Sequence, residues 1–154
     1  MNIFALSMDV KEAAEYHVDK HIVKMPLETA QMLCTNLNLI SIETPYLSVH
    51  KNHPCTIWAR QSQHNFLWLC DLGEALCAEY TFRYKKTHKC ESVIDFCRKY
   101  YIYFPPVKMT DFAMAMPDEY KCSNPILAYR KFYNMGKRHL HSWTDRPTPR
   151  WIVN

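Results

Sequence analysis

The sequence contains little glycine and no long hydrophobic run. Only two glycines occur among its 154 residues, which excludes the glycine-rich loops that cradle nucleotide phosphates or dinucleotides. No apolar stretch approaches the ~20 residues needed to cross a membrane. The first residues also lack the basic start and apolar core of a signal peptide. We therefore predict neither a membrane partner nor a bound cofactor.

The seven cysteines are odd in number and form no CxxC pair. Such usage is typical of reduced thiols in a cytosol-like compartment rather than of a disulfide framework. The apolar fraction of 48%, with 14% aromatic residues, is enough to build a hydrophobic core. A single domain over residues 1–154 is the expected organisation.

Apolar residues recur at helical spacing along most of the chain. We predict an all-α fold, a compact and irregular helical bundle with long ordered loops. The predicted helices run from Lys11 to about Leu37, from Pro54 to about Tyr84, from Glu91 to Tyr101, and from Pro125 to about His139. Asp9 and Asn124 are the expected N-caps. Pro26 predicts either a kink or the start of a second helical piece.

Five polar residues fall on one narrow face of the first predicted helix. They are His17, His21, Lys24, Glu28 and Gln31. On a wheel at about 100° per residue they occupy a sector of about 80°, and most other directions are apolar. This inverts the pattern of an ordinary surface helix. We predict a cavity lined by these groups, with Glu28 as general acid or base, His17, His21 and Lys24 as further catalytic residues, and Gln31 binding substrate.

Two other interpretations of this face remain open. It is also the pattern of a solvated helix face on which Lys24 and Glu28 form an ion pair four residues apart. Alternatively, His17, His21 and Glu28 could supply three ligands to a metal ion, although the Lys24 ammonium would be unfavourable among them. We predict no metal site.

A second polar cluster precedes and enters the second predicted helix. Its candidate substrate-binding residues are His50, Lys51, His53, Arg60 and His64. His50 and His53 could face the first helix, and a helix N-terminus at Pro54 favours a phosphate group. A loop histidine and a helix cap are the alternative interpretation.

The last quarter of the chain carries most of the positive charge. From Lys121 onward seven basic residues stand against one acidic residue, which gives +6 there and −2 in the remainder. The candidate binding residues of this part are Tyr129, Arg130, Trp143, Arg146 and Trp151. Basic groups among aromatic ones suit phosphate contacts and base stacking, so nucleic acid or a small phosphorylated nucleotide is the predicted partner.

Burial is the alternative interpretation of the same residues. Basic side chains can lie along a packed aromatic helix with only their heads in water. Trp143 and Trp151 are costly to leave in water, so we expect the C-terminal tail to pack on the body of the protein.

Three strings of the sequence resemble a family of small uncharacterised proteins from bacteriophages and large DNA viruses. They are DKHIVKMPLETAQML, HPCTIWARQSQHNFLWL and DFAMAMPDEY. The resemblance extends over nearly the whole chain but brings no activity with it. It implies a viral protein that acts in the cytoplasm of an infected host cell.

A second resemblance rests on Asp19, His21 and Glu28, and on Arg146-Pro147-Thr148 followed by Trp151. These residues are similar to the pattern of pyrimidine-dimer DNA glycosylases of the endonuclease V type. The resemblance implies a compact all-helical protein in which Glu28 is the catalytic carboxylate. It also implies that the N-terminal α-amine attacks the sugar C1′ to form an imine, while the basic tail holds the DNA backbone beside the lesion.

We therefore predict an enzyme that acts at a glycosidic bond of DNA or of a nucleotide. A non-catalytic viral protein that sequesters a small phosphorylated nucleotide, such as a host defence signal, is the alternative from a different class. A structural or partner-binding viral protein is a third possibility, and it predicts an exposed apolar patch near Trp143 and Trp151.

Overall fold

The computed structural model describes residues 1–153, and it confirms the predicted all-α fold. The helices are α1 (Val10–Tyr16), α2 (Asp19–Leu39), α3 (Pro54–Arg60), α4 (Gln63–Tyr84), α5 (Glu91–Arg98) and α6 (Pro125–Met135). Short 3₁₀ turns lie at Tyr101–Tyr103, Asp118–Tyr120 and Arg138–Leu140. Within residues 1–153, no helix has the length and apolar character needed to span a membrane.

Each of the two long predicted helices is in fact two helices, so the predicted continuity is wrong. His17 and Val18 have extended backbone angles, with ψ of 134° and 155°, and separate α1 from α2. Ser62 separates α3 from α4, and its hydroxyl caps α4 by accepting hydrogen bonds from two backbone N–H groups. By contrast, α2 continues through Pro26. His17 and His21 therefore do not belong to one helix.

The predicted N-caps are confirmed. Asp9 accepts a hydrogen bond from the backbone N–H of Glu12 at 2.8 Å. Asn124 accepts one from Ile126 at 3.0 Å, and Pro125 follows it as the first helical residue. α5 and α6 end three and four residues before the predicted ends, because a 3₁₀ turn follows each of them within three residues.

α4 is the central element, since it contacts α1, α2, α3 and α5. Gly73 lies where α4 approaches α2 and α5 closely. A Cβ atom there would lie 2.8 Å from Ile94 Cδ1 and 2.9 Å from Thr29 Cγ2, so no larger residue fits without movement. Fully buried large side chains of this core include Ile22, Leu33, Phe66, Leu69 and Leu72. Each contributes roughly 1.5–3 kcal/mol through burial.

A buried arginine joins α4 to the break between α1 and α2. Arg83 Nε donates to Glu79 Oε1 at 2.8 Å, and its Nη1 donates to Asp19 Oδ1 and to the carbonyl oxygen of His17, both at 2.9 Å. Its Nη2 donates to the carbonyl oxygen of Glu15 at 3.0 Å. Because helix ends leave carbonyl groups without intrahelical partners, these bonds stabilise the break.

The C-terminal tail packs on the body of the protein, as predicted. Asp19 accepts hydrogen bonds from Ser142 Oγ at 2.7 Å and from the backbone N–H of Thr144 at 2.9 Å. Trp143 Nε1 donates to the carbonyl oxygen of Tyr16 at 2.9 Å. The start of α2 therefore holds the tail in place.

We predict that Arg83→Met destabilises the protein by about 3–5 kcal/mol, because it removes the cationic partner of Asp19, leaves Glu79 with Arg146 alone, and leaves two buried carbonyl groups without their donor. Chemical denaturation measures the free energy of unfolding. Arg98→Met is the matched control, since Arg98 also pairs with two carboxylates, Asp71 and Glu74, whose side chains are 48% and 40% exposed. Its expected cost is about 1 kcal/mol or less. Equal losses in both variants would contradict the assigned role of Arg83.

Candidate active site

A cleft of about 180 Å³ opens beside α2, where the first residues of the chain pass over that helix. Its lining comes from the start of the chain, from α2, from the segment before the second 3₁₀ turn and from the end of α6. The lining residues are Met1, Asn2, Phe4, His21, Lys24, Met25, Glu28, Ala115, Met116, Pro117, Phe132 and Lys137. Of the predicted catalytic residues, the fold brings His21, Lys24 and Glu28 together here.

Glu28 is the carboxylate of the cleft and is only 8% exposed. Its Oε2 accepts a hydrogen bond from the backbone N–H of Asn2 at 2.9 Å and lies 3.7 Å from the N-terminal nitrogen of Met1. Its Oε1 lies 3.4 Å from Lys24 Nζ. Glu28 thus holds the start of the chain and faces two cationic nitrogens.

The side chain of Asn2 fixes the start of the chain over the cleft. Its Oδ1 accepts hydrogen bonds from the backbone N–H groups of Ile3 and Phe4, and its Nδ2 donates to the carbonyl oxygen of Ala115 at 2.7 Å. Phe4 has a φ of 39°, which is uncommon for a residue with a Cβ atom. Its ring stacks on His21, with 4.4 Å between the ring centroids. These contacts position the first nitrogen atoms beside Glu28.

Both predicted catalytic histidines are uncharged at neutral pH. Burial lowers the pKa of His21 to about 3, with the nearby positive charges of Lys137 and Lys24 adding to the effect. Burial also lowers the pKa of His17 to about 4, and its Nδ1 donates to the carbonyl oxygen of Ala13 at 2.7 Å. His17 is fully buried and does not line the cleft. The helix break explains this, because it removes His17 from the face of α2.

The wall opposite Glu28 is held by a buried tyrosine. Tyr129 was predicted to bind substrate, but its hydroxyl group donates to the carbonyl oxygen of Ala113 at 2.6 Å and accepts from the N–H of Ala115 at 3.2 Å. Above this wall, Lys137 Nζ lies 5.1 Å from the ring centroid of Phe132. Phe132 and Lys137 belong to the basic and aromatic C-terminal part but were not among its candidate binding residues, since nothing in their spacing links them to α2.

The polar face of α2 divides into an exposed part and a buried edge. The side chain of Lys24 is 67% exposed, whereas that of Glu28 is 10% exposed. Gln31 is half-buried and lies outside the cleft. Lys24 therefore fits the interpretation of this face as solvated, whereas Glu28 fits its interpretation as the lining of a cavity.

The second polar cluster surrounds α3 and lies outside the cleft lining. His53 caps α3 by accepting from the N–H of Cys55, and burial lowers its pKa, as does the positive charge of the N-terminal amine. Arg60 donates to the carbonyl oxygen of Lys51 at 2.7 Å and so ties down the preceding loop. His50 and His64 are exposed. His53 therefore acts as a helix cap, which is the alternative interpretation of this cluster.

The predicted binding residues of the C-terminal part are engaged within the fold. Arg130 Nε donates to the carbonyl oxygen of Leu6 at 2.8 Å, and its guanidinium lies 5.3 Å from the ring centroid of Trp151. Arg146 donates to both carboxylate oxygens of Glu79, at 3.0 and 2.9 Å. Together with Trp143, these residues attach the tail, and none of them lines the cleft.

Within residues 1–153, no group of three or more histidine, cysteine, aspartate or glutamate side chains is arranged to hold a metal ion. The alternative in which His17, His21 and Glu28 are ligands therefore finds no support in the geometry. The Nδ1 atom of His21 lies 2.6 Å from the hydroxyl group of Tyr133 instead.

The part of the chain that contains Glu28 matches a known protein family. Residues 1–92 match the family model of pyrimidine dimer DNA glycosylase. The match includes the start of the chain and α2, whereas the opposite wall of the cleft lies outside it. No curated protein and no solved structure matches the chain. The comparisons give no support to the predicted relation to viral proteins.

The lowered pKa values of the buried histidines predict how the free energy of unfolding depends on pH. The folded-state pKa of His17 is about 4, below the value of 6.5 for an exposed histidine, so between these values the unfolded chain binds more protons. Stability is therefore expected to fall as the pH drops from 6.5 towards 4, by up to about 1.4 kcal/mol per pH unit for this residue.

Denaturant unfolding between pH 6.5 and 5 measures this slope. His17→Asn should make it shallower, whatever its effect on stability at pH 7, because asparagine does not titrate. The exposed His64→Asn is the control and should leave the slope unchanged. An unchanged slope in His17→Asn would contradict the prediction.

Proposed function

We propose, since the chain belongs to the pyrimidine dimer DNA glycosylase family, that it cleaves the glycosidic bond of damaged pyrimidine nucleotides in DNA, with Glu28 as its catalytic carboxylate. One observation carries this proposal. Glu28 Oε2 lies 3.7 Å from the N-terminal nitrogen and 2.9 Å from the backbone nitrogen of Asn2, in a cleft open to solvent. A carboxylate at this distance can accept a proton from an amine and so activate it as a nucleophile.

The proposed reaction is a displacement at the sugar C1′ atom. The amine nitrogen forms a bond to C1′, and the bond between C1′ and the base nitrogen breaks with its electron pair leaving on the base. The amine proton passes to Glu28, and the cleaved base, which stays linked to the other base of the dimer, takes up a proton. The bond between C1′ and the ring oxygen O4′ then breaks, O4′ takes up a proton, and the nitrogen lone pair forms the double bond to C1′ of a protonated imine.

The position of Glu28 suits an amine on either of the first two residues. With Met1 in place, its nitrogen is the nearby amine at 3.7 Å. After removal of Met1, the backbone nitrogen of Asn2, now 2.9 Å from Oε2, becomes the amine. The proposal therefore does not depend on how the first residue is processed.

The rest of the cleft suits an unstacked nucleotide. Phe4, Met116 and Phe132 offer apolar surface to a base, and Lys24 and Lys137 offer positive charge to the adjoining phosphates. An enzyme that acts on a base in a duplex must take that base out of the stack, and an apolar pocket compensates part of the cost.

Glu28→Gln tests the role of the carboxylate. The variant removes the proton acceptor but keeps the size of the side chain, so cleavage of the glycosidic bond at a pyrimidine dimer, measured as alkali-induced breaks in the duplex, should fall by about 10²–10⁴-fold. Glu43→Gln changes an exposed carboxylate in the loop after α2 and is the matched control. Equal cleavage by wild type and Glu28→Gln would contradict the proposal. Recovery of an unchanged free nucleotide from both proteins after denaturation would instead support the alternative of nucleotide sequestration.

Borohydride reduction tests the nucleophile, because it converts an imine between protein and DNA into a stable covalent bond. Wild type is expected to give a covalent product whose linked peptide contains the first residue, identified by mass spectrometry. Adding two residues before Met1 should abolish this product by moving the amine away from Glu28, whereas adding the same two residues after Asn154 should not. Trapping through Lys24 would contradict the assignment of the amine.

A further inference from the structure

We infer that the loop between α4 and α5, together with the exposed ridge of α2, binds the phosphate backbone of the DNA. This inference rests on the proposed function, because it assumes that the ligand is DNA. The ridge consists of Lys20, Val23, Lys24 and Leu27, and the loop of residues 85–89 contains Lys86 and Lys89, all of them exposed.

α2 separates the cleft from a second depression. On a wheel at about 100° per residue the four ridge residues cover about 100°, and Glu28 lies about 40° beyond one edge of this sector. Val23 and Leu27 lie at the other edge, where they line a groove of about 430 Å³. Lys86 and Lys89 line the far side of that groove. A strand that crosses α2 from the cleft therefore reaches these two lysines.

The loop is held firmly against α2. His88 Nε2 donates to the carbonyl oxygen of Val23 at 2.9 Å, and its Nδ1 accepts from the N–H of Cys90 at 3.1 Å. One tautomer, with the proton on Nε2, satisfies both contacts. The ring of Tyr80 meets that of His88 edge to face at 4.8 Å. Because the loop is already ordered, binding through its lysines costs little conformational entropy.

Three lysines of this surface are free to bind an anion, whereas Lys24 pairs with Glu28. Within residues 1–153, no carboxylate lies within ion-pair distance of Lys20, Lys86 or Lys89. Asp19, which precedes Lys20, is already bound by Arg83 and by the tail. Free lysines along one track are the pattern expected for contacts with successive phosphates.

The test is the salt dependence of binding to an undamaged duplex, measured by fluorescence anisotropy between about 50 and 200 mM salt. The double variant Lys86→Gln/Lys89→Gln is expected to bind roughly tenfold more weakly or worse, and to lower the slope of log Kd against log salt by about 1.8. Lys20→Gln, on the ridge, should lower it by about 0.9.

Lys99→Gln/Lys108→Gln is the matched control, because it removes the same charge from two exposed lysines outside both depressions. It should change Kd by less than about twofold, as long-range charge effects are largely screened at this salt concentration. Equal weakening in both double variants, or none in either, would overturn the inference. Selective weakening in a protein that cleaves no glycosidic bond would support the surface and reject the proposed function.

Discussion

The guanidinium of Arg83 lies where α1, α2, α4 and the C-terminal tail meet, and its charge is balanced by Asp19 and Glu79. A buried charge of this kind is tolerated only with well-placed partners. Asp19 also binds the tail, and Glu79 also binds Arg146. The same charge balance therefore ends α1, begins α2 and attaches the tail, so the packing of distant parts of the chain depends on it.

The three residues that resemble a glycosylase pattern have different roles in the structure. Asp19 faces Arg83 and the tail rather than the cleft. His21 and Glu28 are seven residues apart, which is about two helical turns, and so lie on one side of α2. His21 supports the ring of Phe4, and Glu28 binds the start of the chain. A pattern that suggests catalysis in sequence thus contains one anchor, one supporting ring and one carboxylate that lines the cleft.

Local signals in the sequence are sufficient to predict most of the helical segments, the N-caps Asp9 and Asn124, and the position of Glu28 in a cavity. They are not sufficient for features that depend on distant contacts. The break at His17 is stabilised by Arg83, 66 residues away, and the wall of the cleft is joined to Asn2 by Ala115, 113 residues away. Periodicity describes one helix at a time, so neither partner could be predicted from it.

The distribution of charge shows the same limit. The C-terminal part carries a net charge of +6, yet Arg146 is neutralised by Glu79, and Arg130 is enclosed between aromatic rings. Net charge along a sequence therefore does not measure the charge that a ligand meets, because buried ion pairs remove part of it. The unpaired lysines Lys20, Lys86 and Lys89 lie on α2 or on a loop hydrogen-bonded to α2. Contacts with the backbone and chemistry at Glu28 would then share one helix, whose starting point is set by Arg83.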